Sequence, residues 1–138
     1  MSSPLMARVT SDKQCAQYQS DGYTVVRNLI PPEQLAPVKK MLLEILEGHH
    51  EWPSSHFQIL DPALYKNTRG GFVPLGVQGP SKQSSVFASI TYHPRLQGAM
   101  SELLGGEVSW YTDQALIKST YIKTEQGGST FYHQDSYY

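Results

Sequence analysis

The chain's 138 residues, 39% of them hydrophobic and 17% charged, suit one ordinary globular domain and exclude a disordered segment. With 11 basic and 12 acidic side chains the formal net charge is −1 and no long like-charge run occurs, so nucleic acid is not an expected partner. No stretch approaches the roughly 18 apolar residues of a membrane span, and the single cysteine, Cys15, excludes an internal disulfide.

In chain order, Ser11 with Gln14 three positions on has the form of a capping box. Cys15 and Tyr18 fall on one face behind it, and Asp21-Gly22 stops the run, which predicts a short amphipathic helix. Tyr23 to Asn28 is rich in β-branched and aromatic residues between Gly22 and Pro31-Pro32, the pattern of a strand. Leu35, Val38, Leu42, Ile45 and Leu46 recur at steps of three and four and predict a helix ending near Gly48. Pro37 lacks a backbone donor, so the regular helix is expected to begin there, with 32–36 as a separate turn.

From His49 to Ser85 glycine, proline and serine replace periodicity, which predicts a long irregular segment of the kind that forms binding lids. Leu96, Met100, Leu103 and Leu104 then take helical spacing behind Tyr92-His93-Pro94 and stop at Gly105-Gly106. Val108 to Tyr111, Ala115 to Ile122 and Thr130 to Tyr137 are expected to be extended. Trp52 and Trp110 are expected to anchor packing, His49 and His50 to be solvated groups at a helix end, and His56 and His93 to have structural duties.

The last of the extended segments contains His133-Gln134-Asp135. Alternate strand residues share a face, so His133 and Asp135 can turn an imidazole nitrogen and a carboxylate oxygen toward one cation while Gln134 points away. Such a pair is two thirds of the 2-His-1-carboxylate facial triad of non-haem iron(II) oxygenases. The plainer reading of the motif alone is a half-buried strand histidine hydrogen-bonded to a neighbouring carboxylate.

The surrounding sequence adds to that pair. The run Asp113-Gln114-Ala115-Leu116-Ile117-Lys118, a glycine-containing loop and then His133-Gln134-Asp135 followed by aromatics resembles the metal-site core of the phytanoyl-CoA dioxygenase family. Asp21-Gly22-Tyr23-Thr24-Val25-Val26-Arg27-Asn28-Leu29 with Pro32-Glu33-Gln34-Leu35 resembles the family's opening, and Tyr92-His93-Pro94-Arg95-Leu96 with Leu103-Leu104-Gly105 its middle helix. Ser119-Thr120 departs from the two prolines that the family usually carries after the lysine.

The resemblance implies an α+β chain: an N-terminal helical and strand region over 1–107, then the start of a double-stranded β-helix, the jelly roll or cupin-like barrel, over 108–138. It implies an enzyme using iron(II), with 2-oxoglutarate and dioxygen as cosubstrates, to hydroxylate a small organic molecule. His133 and Asp135 would be metal ligands. Lys118 and Gln114 are candidates for holding 2-oxoglutarate, and Tyr137 for lining the substrate pocket. A carboxylate at Asp135, where related halogenating enzymes carry a small residue, favours an oxygen-derived outcome. The family's distal histidine and 2-oxoglutarate-binding arginine would lie beyond Tyr138, so the 138 residues alone are expected to be inactive and to leave strand edges unpaired. Two other readings stand beside this one: a non-catalytic β-rich binding module, and a redox-neutral cupin-type metal enzyme. A reducing, cytoplasmic compartment is expected.

Overall fold

Local capping chemistry places the first helix in the computed structural model, which describes residues 7–59 and 66–117. Helix α1 (Asp12–Asp21) opens on Ser11, whose hydroxyl accepts from the Gln14 amide while Gln14 Oε1 accepts from the Ser11 amide at 2.9 Å. It closes on Gly22 at φ 77°, where the Gly22 N–H reaches Tyr18 O. Both ends match the sequence expectation.

The next expectation does not hold. Residues 23–28 form no strand: Tyr23 is 61% and Val25 57% exposed, and a turn follows at Arg27-Asn28. Propensity for extended structure reflects fit to a packed, paired surface. Here the Val25 carbonyl instead accepts from Gln14 Nε2 at 2.9 Å.

Helix α2 (Pro32–Leu46) also corrects the sequence reading, because it runs unbroken through Pro37. Pro32 sits at the first helical position, where a missing N–H costs nothing. Pro37 comes early enough that only the bond to the Glu33 carbonyl is lost, and the apolar stripe behind it outweighs that loss. The helix ends in a Schellman arrangement, with Gly48 N–H on Ile45 O at 3.0 Å, His49 N–H on Glu44 O at 2.7 Å and Gly48 at φ 77°.

The segment read as irregular contains the middle of a sheet. A 3₁₀ turn (Ser54–His56) leads into β1 (Phe57–Gln58), which pairs antiparallel with β2 (Gly76–Gln78). After α3 (Pro80–Gln83), α4 (Ser85–Thr91) and α5 (Pro94–Leu104), strand β3 (Gln114–Leu116) pairs antiparallel with the other edge of β2. Val108 to Tyr111, expected to be extended, forms no strand, and β3 begins one residue before the predicted start. Ser84 caps α4 through Val86 N–H, His93 Nδ1 caps α5 through Arg95 N–H, and Gly105 at φ 74° ends α5 where the sequence put its stop.

The described residues therefore form an α+β arrangement with an open, three-stranded antiparallel sheet in the order β1-β2-β3. In register, Phe57, Val77 and Ala115 lie across one face, and Gln58, Gly76 and Leu116 across the other. The first face is the core face. Val77 is 0% exposed and packs with Ile45 of α2 and Phe87 of α4, flanked by Val38, Met41, Leu42, Trp52 and Ile117. Among the described residues no helix is long and apolar enough to cross a membrane.

Candidate functional site

Strand alternation decides which side of β3 faces the helices. Ala115 and Ile117 pack on the core, so Gln114 and Leu116 are carried to the opposite side, where Leu116 is 61% exposed. Gln78 on the neighbouring strand presents Nε2 to Gln114 Oε1 at 3.5 Å, and Gln58 lies across Gly76 from Leu116. A Cβ built on Gly76 would meet Gln58 Oε1 at 3.4 Å and Leu116 Cδ2 at 3.5 Å, so the absent side chain keeps this face shallow. The far face of the sheet is thus a platform of side-chain amides beside one exposed leucine.

The start of β3 is held by a residue to which sequence reasoning gave no role. The Asp113 carboxylate accepts from Ser81 N–H and Ser81 Oγ, each at 2.9 Å, and from Thr91 Oγ1 at 3.3 Å. Its carbonyl accepts from Gly79 N–H at 2.8 Å. Asp113 thereby ties β3 to α3 and α4 and sets the register that turns Gln114 outward. An aspartate just before a strand is the available signal, but its partners lie 22 and 32 residues away in sequence.

Of the candidates for metal, cosubstrate and substrate contact, Gln114 is the described one, and it stands on the exposed face. Lys118, His133, Asp135 and Tyr137 lie outside the described residues, as does the segment predicted over 130–137. Among the described residues no group of three or more His, Cys, Asp and Glu side chains could hold a metal ion.

Three of the other histidines, His50, His56 and His93, have side-chain partners of other kinds. His93 caps α5, and its Nε2 pairs with Gln34 Oε1 at 2.8 Å. His56 Nδ1 meets the Gln78 carbonyl at 3.0 Å. His50 corrects the expectation of a solvated end group. Its ring lies 4.6 Å from Phe57, its Nδ1 accepts from Trp52 N–H at 3.2 Å, and burial pushes its pKa down. Trp52 packs edge-on to Phe87 at 5.8 Å, the anchoring role expected of it. Trp110 meets Tyr92 edge-on at 5.8 Å, with Lys82 Nζ 5.3 Å from its ring centre.

No protein-family model, no curated protein and no solved structure matches the chain.

Proposed function

We propose that this chain carries the first metal-binding strand of a non-haem iron(II)- and 2-oxoglutarate-dependent dioxygenase of the phytanoyl-CoA dioxygenase type, one that hydroxylates a small organic substrate in the cytoplasm. The observation that carries the reading is the block from Asp113 to Lys118 followed by His133-Gln134-Asp135, in the order and chemistry of that family's metal site. The first strand of the block supports it, since β3 forms with alternating faces and holds Gln114 away from the apolar core.

In this reading His133 would supply an imidazole nitrogen and Asp135 a carboxylate oxygen to hold iron(II). Bound iron would supply the redox centre at which 2-oxoglutarate and dioxygen react. Lys118 would neutralise a carboxylate of 2-oxoglutarate, Gln114 would hydrogen-bond within the same cavity, and the Tyr137 phenol would contact substrate. The third ligand and the arginine for the far carboxylate would come from later strands of a double-stranded β-helix.

The test uses protein made from the complete coding sequence. Iron(II) binding and 2-oxoglutarate-dependent succinate formation are expected, and His133→Ala and Asp135→Ala should each abolish turnover and weaken iron binding by at least about tenfold. Unchanged iron affinity in Asp135→Ala would overturn the assignment in favour of a β-rich binding module. Metal-dependent turnover without dioxygen or 2-oxoglutarate would overturn it in favour of a redox-neutral cupin-type enzyme.

A further inference from the structure

The helix side of the sheet, opposite Gln114, holds a cavity of 310 Å³ between the end of α2, the aromatic segment before β1 and the loop that returns to β2. That is the lower end of the size range of small-molecule pockets, about 300–1,000 Å³. Its apolar wall is built of rings. Phe57 lies between His50, at 4.6 Å, and Trp52, stacked at 6.3 Å with planes 17° apart, while Phe72 reaches in from the returning loop.

Residues 66–72 of that loop are fixed before any ligand arrives. Lys66 and Phe72 form an antiparallel bridge, Asn67 N–H reaches Gly71 O at 2.7 Å, and Asn67 Oδ1 accepts from Arg69 N–H and Gly71 N–H at 3.0 and 2.9 Å. Thr68 donates to the Glu47 carboxylate. Asn67 Nδ2 sits where a Cβ on Gly48 would come within 2.6 Å, so the positive-φ glycine ending α2 also provides the loop's seat. The Arg69 backbone is therefore held in place, and among the described residues its guanidinium has no carboxylate partner.

Two of the polar residues lining the cavity bring donors. Arg69 brings a forked, permanently charged donor set. Because His50 Nδ1 accepts from Trp52 N–H, the neutral ring carries its proton on Nε2, a second donor. Desolvation lowers the His50 pKa and keeps the ring in that neutral form at pH 7. None of the described lining residues is acidic, and the Arg69 charge opposes a cationic ligand.

We propose that this cavity binds a small carboxylic acid with a flat or short apolar body, its carboxylate on Arg69 and His50 Nε2 and its body against Trp52, Phe57 and Phe72. The site is separate from the amide face that carries Gln114, and it stands whether or not the chain is an oxygenase.

The test is calorimetric titration of the full chain with 3-phenylpropionate and with its neutral amide. The acid is expected to bind at least about tenfold more tightly than the amide, and Arg69→Gln to remove that preference, since a charge-assisted fork is lost. Phe72→Ala should weaken both probes, and Gln114→Ala neither. Arg69→Gln should leave the melting temperature unchanged, because the Arg69 side chain does not hold the loop. Equal affinity for acid and amide, acid binding insensitive to Arg69→Gln, binding altered by Gln114→Ala, or no binding would each overturn the proposal.

Discussion

The sheet with α2 and α4 is held by buried hydrocarbon, whereas α1 and the segment before it are held to α5 by a carboxylate. In the first region Ile45, Val77 and Phe87 are 1%, 0% and 6% exposed, and their side chains carry no polar group. In the second, Glu102 accepts from Val9 N–H at 2.9 Å, Thr10 N–H at 2.6 Å and the Thr10 hydroxyl, above the smaller apolar contribution of Ala99 and Leu103. The difference teaches that one domain can combine a region held by groups that do not titrate with one to which a titrating carboxylate contributes.

The largest expected effect breaks the first region. Ile45→Ala leaves a cavity beneath the central strand and should cost about 3 kcal/mol in chemical denaturation. A loss under 1 kcal/mol would show that the sheet does not rest on this cluster. Next is Glu102→Ala, which strands Val9 and Thr10 donors and should cost about 2 kcal/mol.

The pH dependence sharpens the contrast. The Thr10 hydroxyl first, then the Val9 amide, hold the Glu102 pKa below its ordinary 4.5. The unfolded chain therefore binds this proton more readily than the folded one. The contribution is complete above pH 4.5 and is lost as pH falls below it through the folded value. Glu102→Gln should flatten that part of the stability profile, while Ile45→Ala should lower the whole profile without changing its slope. The smallest effect is Ser11→Ala, about 1 kcal/mol from the capping box of α1. If it destabilised more than Glu102→Ala, local capping and not the carboxylate would be the main support of this region.

What could be read beforehand followed the range of the interaction. Ser11 with Gln14, Gly22, Pro94 and Gly105 were legible because each acts within about one helical turn of its own position. Val77 was not legible: the most buried residue of the sheet sits in a three-residue strand, too short to show a period, inside a stretch whose composition suggested a loop. Tyr23 to Asn28 failed in the opposite sense, with strand composition but no ladder to join. Gln114 was singled out by its neighbours in sequence, whereas the Asp113 brace that orients it needed Ser81 and Thr91 brought together.

The amino-acid order by itself determined the helix caps of α1 and α5, the apolar stripe of α2 and the His133-x-Asp135 spacing, since these rest on contacts between residues a few positions apart. Only the tertiary structure decided that Gly76 to Gln78 is the middle strand, that Pro37 stays inside α2, and that Arg69 meets an aromatic pocket on the side opposite Gln114. Those outcomes depend on pairing and burial between distant segments, whose free energy exists once the chain has closed on itself.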